Sequence, residues 1–300
     1  MSRPRLNKPR LNKPRPKWQY SVIGIAAAGA AVFGLVHTSS AAPTASSASA
    51  KKKPGATQRI KQNPPPQLFT DAAVADVSKQ LGAQQKTADG LFAQWKKDHG
   101  STRDDRAFTA WVEKTVPAPP SKTRRTAELH QVQELAKTRT AEGKRAATWL
   151  ELHGKKDIWK LYLHDQRELI PRNEGTAEKA ELKTALKLSK KITEQLAARY
   201  KQPAPYVLDP SLRPEKHVKP GQQGPFSYPS RHAAKSGAAA TYLSALAPHR
   251  AEEYRWMAAQ IAYSRVYMAG HMPSDILAGA LVGDLVGDYV LTTNGHTPPR

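Results

Sequence analysis

From about residue 68 onward, apolar positions recur at the three- and four-residue spacing of a helix. Leu91, Phe92 and Trp95 share one face, as do Phe108, Trp111 and Val112. The period-two alternation of a half-buried strand is nearly absent. The pattern predicts long helices over about 126–152 and 175–200, with Trp149, Leu150, Trp159 and Leu161 supplying apolar faces between them. Two more follow at about 231–247 and 251–268, and a last runs from Pro273 to about Leu291. Proline interrupts the pattern at Pro117–Pro120 and again between Lys201 and Pro214, after which a Gly/Pro-rich loop leads to Pro229. The body therefore reads as all-α.

The last helix is apolar enough to raise the question of a membrane span. Asp275, Asp284 and Asp288 argue against one, because carboxylates at a bilayer centre are costly. Gly279, Gly283 and Gly287 recur every fourth residue and would let another helix approach closely. The expectation is a buried core helix.

The N-terminal quarter has a different texture. Residues 1–17 repeat Arg-Leu-Asn-Lys-Pro and read as a disordered basic arm. Residues 18–36 are apolar and uncharged, about the length that spans a bilayer core. Residues 37–67 are rich in Ala, Ser, Lys and Pro and read as a flexible linker, which leaves 68–300 as the helical domain. The order of basic, apolar and small-residue regions is that of a secretory signal, with candidate cleavage after Ala41 or Ala50. An uncleaved anchor fits the same segment. Either reading places the body outside the cytoplasm, secreted, periplasmic or held at the membrane by residues 18–36.

Charge sharpens this division. Twelve of the chain's Lys and Arg residues precede its first acidic residue, Asp71, so much of the formal +22 belongs to the tail. That placement fits an anionic membrane surface or a topology signal. No nucleic-acid module signature accompanies it, and a nucleic-acid partner is not expected. With no cysteine, disulfides and thiolate chemistry are excluded.

Two short stretches could carry chemistry. In Ser264–Asp275, Arg265 precedes His271 by six residues, and Asp275 falls one turn into a helix opened by Pro273. A guanidinium suits phosphate, a helix start favours an anion, and a carboxylate there could orient an imidazole as nucleophile. Alone, such a pattern is equally a capped helix start. The second stretch, Phe226–Lys235, brings Ser230, Arg231 and His232 to another helix start. Two helix-start histidines with hydroxyl and guanidinium donors suit phosphoryl transfer, one attacking and one protonating the leaving oxygen.

Pro229-Ser230-Arg231-His232 and Ser264-Arg265 with His271 and Asp275 resemble the second and third signature motifs of the PAP2 phosphatase superfamily. That superfamily includes soluble bacterial acid phosphatases, membrane lipid phosphatases and vanadium haloperoxidases. The resemblance spans roughly 130–292 and is strongest over 200–285. It implies an all-α bundle with the site at helix N-termini and a metal-independent phosphatase acting on a phosphorylated small molecule or a lipid phosphate. It also implies His271 as nucleophile forming a phosphohistidine, Asp275 as its orienting partner and His232 as general acid. Arg265, Ser230 and the backbone at Arg231 would hold the phosphate. No cofactor is implied, and vanadate would act as an inhibitor.

Two departures stand out. Gln202 and Ala204 occupy positions where the first motif has arginines, and Arg231 replaces a glycine. Losing a phosphate-binding donor typically costs a few kcal/mol of transition-state stabilisation. Arg231 and Lys201 are therefore expected to return positive charge to the pocket. Arg213 reads as loop, Lys235 as surface, and His217, His249 and His296 as solvated. The same resemblance leaves room for a vanadium-dependent haloperoxidase, with vanadate as cofactor on His271. It also leaves room for a non-catalytic relative that binds an anionic envelope polymer.

Overall fold

The computed structural model describes residues 54–166, 176–213 and 226–298. The expected basic arm, the apolar segment 18–36 and the linker up to residue 53 lie outside the described residues. Gly55–Arg300 form one compact unit. Among the described residues it is helical, and the only strand-like feature is an isolated bridge between Pro203 and Phe226.

The helices are α1 (Ala56–Gln62), α2 (Asp71–His99), α3 (Asp105–Thr115), α4 (Lys122–Lys137), α5 (Ala141–His153) and α6 (Asp157–Gln166). They continue as α7 (Thr176–Tyr200), the short α8 (Pro205–Leu208), α9 (Arg231–Leu246), α10 (Ala251–Tyr267) and α11 (Pro273–Thr293). Their starts carry the expected side-chain acceptors. Thr70 caps α2, Asp104 caps α3, Ser121 caps α4 and Thr140 caps α5.

The single helix expected over 126–152 is two, α4 and α5, broken at Thr138–Thr140. The Thr140 side chain accepts from Gly143 N at 3.0 Å, which starts a new helix where periodicity alone would continue the old one. The linker reading also ends too late. Within it, α1 is helical with Ile60 buried, and Arg59 ion-pairs with Asp157 of α6. Trp149 Nε1 donates to Asn63 O at 2.8 Å, which fastens the end of α1 to α5.

The most extensive packing in the domain is between α9 and α11, and composition explains it. A Cβ on Gly279 would overlap the Ser230 carbonyl, and one on Gly283 would overlap the Ala234 carbonyl. Alanines at 233, 234, 238 and 239 complete the close approach from the α9 side. This contact fixes the two helix N-termini side by side, with Ser230 N donating to Asp275 O at 2.8 Å. Helix α10 packs on α9, α5 and α2, while α7 flanks α9 and α11.

Helix α11 is long and apolar enough to cross a membrane by length and composition, yet it lies buried in the core of this unit. Its Asp284 accepts from Thr241 Oγ1 at 3.1 Å. Burial, with Asp89 nearby, pushes the Asp284 carboxyl up to about 7, and burial raises Asp288 well above the usual carboxylate range. Trp149 and Trp159 are core residues.

Candidate active site

Arg265 lies in the last turn of α10 and is buried, 1% exposed. The chain then folds back over it. Gly270 N and His271 N both donate to Arg265 O, at 3.0 and 3.3 Å. A Cβ on Gly270 would sit 2.9 Å from Arg265 Nη2, so glycine leaves room for the guanidinium beneath the turn. Ala269 takes φ 54 to complete the reversal. The six-residue spacing from Arg265 to His271 is thus one tight wrap, which sets the imidazole beside the guanidinium's loop.

His271 Nδ1 lies 2.8 Å from Ser227 O. A carbonyl can only accept, so Nδ1 carries the proton and Nε2 presents its lone pair. This revises the role expected of Asp275. Its Oδ2 is 3.8 Å from His271 Nδ1, an ion-pair distance and not a hydrogen bond. Oδ2 instead accepts from Met272 N at 2.8 Å, and Oδ1 accepts from Arg125 Nη1 of α4 at 2.9 Å. Burial pushes the Asp275 carboxyl up, but His271 and Arg125 outweigh it and hold the group below the usual carboxylate range. Asp275 caps α11 and holds the loop, while the Ser227 carbonyl sets the His271 tautomer.

Ser227 is itself held by the degenerate first-motif segment. Its N donates to Gln202 O at 2.8 Å, and Arg125 Nη2 donates to Pro203 O at 3.3 Å. Ala204 is buried in the core beneath. Where arginines were expected, the segment provides backbone that positions the second motif.

Ser230 caps α9, accepting from Ala233 N at 3.4 Å, and is fully buried. His232, one residue into that helix, is buried with Nε2 3.4 Å from Glu151 O. Burial, then Arg265, Lys155 and His271, push its imidazole well below the ordinary histidine range.

The two cations expected to compensate for the first motif are placed elsewhere. Arg231 Nη1 pairs with Glu194 Oε1 of α7 at 3.1 Å on a half-exposed side chain. Lys201 is exposed just past α7, with φ 49.

Four residues that the sequence reading did not place at the site belong to it. Glu151, near the end of α5, sets its Oε2 3.1 Å from Arg265 Nη1 as an ion pair, and neither Nη1 nor Nε of Arg265 makes a hydrogen bond. Lys155, in the turn after α5, is lowered by burial and by Arg231 and Arg265, with Glu151 opposing. Arg125 supports Asp275 from α4. Tyr206 N donates to Ala269 O at 3.3 Å, and its phenol is raised by burial while Arg265 and Glu151 also act on it. Arg213 stands 5.9 Å over that ring, so it packs against the site wall rather than lying in a free loop. Lys235 is likewise not a simple surface residue, since burial and Arg231 lower it to about 8. His296 pairs with Glu181 Oε2 at 2.9 Å and is not simply solvated.

The arrangement sets two imidazoles, His271 and His232, at the apposed N-termini of α11 and α9, with a buried guanidinium at the end of α10. Among the described residues, no group of three or more His, Asp or Glu converges as a metal site would require.

No curated protein matches the chain. A crystal structure of the first transmembrane PAP2 type phosphatidylglycerolphosphate phosphatase from Bacillus subtilis is similar at 16% identity and a TM-score of 0.42. That match covers 61% of this chain and 90% of the other. The family model for the PAP2 superfamily matches residues 181–294, which hold His232, Arg265, His271 and Asp275. Over that segment, which is less than half of the chain, the sequence is similar to the PAP2 superfamily.

Proposed function

We propose that this chain is a metal-independent phosphatase that hydrolyses phosphate monoesters through a phosphohistidine on His271. One observation supports the reading: the Ser227 carbonyl, 2.8 Å from His271 Nδ1, leaves the Nε2 lone pair available for attack. In the first step the Nε2 lone pair forms an N–P bond, the P–O bond to the leaving group breaks, and His232 gives that oxygen a proton. In the second, water attacks phosphorus, His232 takes its proton, and the N–P bond breaks to release phosphate. Arg265 and the N-terminus of α9 would balance the charge on the phosphoryl oxygens.

His232 must gain a proton to act as acid, and burial with its cationic neighbours opposes this. Turnover should therefore favour acidic pH, as in an acid phosphatase. Residues 18–36 would carry the domain out of the cytoplasm or hold it at the membrane surface, where a lipid phosphate could also reach it.

The test is hydrolysis of p-nitrophenyl phosphate from pH 4 to 8 with a chelator present, comparing the full chain with His271→Ala. Turnover that resists chelation, is blocked by vanadate and disappears in the variant supports the proposal. Equal turnover in the variant would overturn it. A second reading, a non-catalytic anion binder, draws on Gln202 and Ala204. It predicts phosphate binding without turnover in either protein.

A further inference from the structure

Arg265 is the one cation that both the motif and the geometry assign to phosphate, yet in this structure it already has an anionic partner. Glu151 Oε2 lies 3.1 Å from its Nη1, and the Glu151 side chain is only 22% exposed against 2% for the arginine. The same residue reaches the second motif, since its carbonyl is 3.4 Å from His232 Nε2. Glu151 thus touches the phosphate-binding residue with its carboxylate and the general acid with its backbone. A phosphoryl oxygen that approached Arg265 along Nη1 would meet that carboxylate, and two anions in a shielded pocket repel strongly.

We propose, resting on the phosphatase reading above, that Glu151 is an internal competitor for the phosphate site that sets its affinity. Its carboxylate compensates a buried guanidinium whose exposure to water is almost nil. When phosphate binds, the carboxylate gives up Nη1 and turns toward Lys155, the neighbouring cation in the turn after α5. Arg265, Lys155, His232 and Tyr206 are the titratable groups that face it from α10, the α5–α6 turn, α9 and α8. With Gln202 and Ala204 replacing two cations, the added carboxylate weakens the hold on phosphate further. Glu151 would thereby speed release of the product anion.

The opposite role is equally concrete: Glu151 could hold Arg265 in its binding geometry. The two roles predict changes of opposite sign. Calorimetry with inorganic phosphate and inhibition by orthovanadate would be measured on the full chain, on Glu151→Gln and on Glu151→Asp. Competition predicts about tenfold tighter binding in Glu151→Gln, of the order seen when one charge contact is removed from a binding site. Glu151→Asp, with its carboxylate drawn back by one methylene, should fall between. A Glu151→Gln protein that melts like wild type but binds phosphate equally or more weakly would overturn the inference. Arg265→Ala is the control for the underlying reading. If its phosphate affinity equals that of wild type, the phosphate site itself is misassigned and the proposed function fails with it.

Discussion

Replacing Arg125 with leucine removes the buried partner of Asp275. The pair is 2.9 Å apart, with side-chain exposures of 8% and 0%. Leucine keeps much of the volume but leaves the Asp275 carboxylate with one hydrogen bond, from Met272 N. It also removes one of two donors to Pro203 O, which keeps Ser227 Oγ at 3.2 Å. Breaking one side of a buried ion pair typically costs about 3–5 kcal/mol. For a domain of this size each kcal/mol shifts the melting temperature by about 2–4 °C, so a fall of roughly 6–20 °C is expected at neutral pH. The pH dependence adds a signature. Asp275 is held below its ordinary value, so the stability it contributes is present above the unfolded carboxylate pKa and is lost as pH falls through the folded one. The wild-type advantage over Arg125→Leu should therefore be largest near pH 7 and shrink toward pH 3. Adding Asp275→Asn should recover part of the loss, because it removes the stranded charge. Thermal melts of the three proteins across that range would decide the matter. A difference under 2 °C at pH 7, or one independent of pH, would refute the assignment of Arg125 as the buried support of the third motif.

Two further outcomes follow. Asp284 is raised to about 7 by burial, so its neutral form contributes stability that is full below the unfolded carboxylate pKa and is lost as pH climbs toward 7. A rise of about three units corresponds to roughly 4 kcal/mol, so melts of Asp284→Asn between pH 4 and 8 should show a flatter slope than wild type. Arg231→Gly removes a half-exposed pair with Glu194 and should change stability by less than about 1 kcal/mol. Its phosphate inhibition constant should stay within about twofold of wild type, a negligible free-energy change.

Much of the site was legible in the sequence because its residues sit at helix boundaries that local rules announce. Pro273 opens α11, Ser230 opens α9, and Arg265 lies one wrap before His271. The glycine stripe announced a close helix approach, and the structure supplies α9 as the partner. What stayed hidden was long-range. Arg125 meets Asp275 across 150 residues, and nothing in α4 distinguishes it from Arg124 beside it. Glu151 left a faint trace, a lone carboxylate among Trp149, Leu150 and Leu152. Arg231 misled for a physical reason. Its place in the motif suggested a ligand to phosphate, but Glu194 on α7 lies within reach outside the pocket. The helix α1 was masked by a composition of Lys, Gln and Pro, and its fold rests on tertiary contacts of Arg59, Ile60 and Asn63. The α4–α5 break was visible only as threonines at 138 and 140, which apolar periodicity ignores.

The most direct test of the account is to trap the covalent intermediate. The full chain and a His232→Ala variant, in which water attack should be slowed, would be mixed with a labelled phosphate monoester and quenched in base. Peptide mapping would then locate the label. The account predicts an alkali-stable, acid-labile phosphate on Nε2 of His271, more abundant in His232→Ala and absent from His271→Ala. Label on any other residue, or turnover in wild type with no trapped phosphoenzyme in either protein, would contradict it.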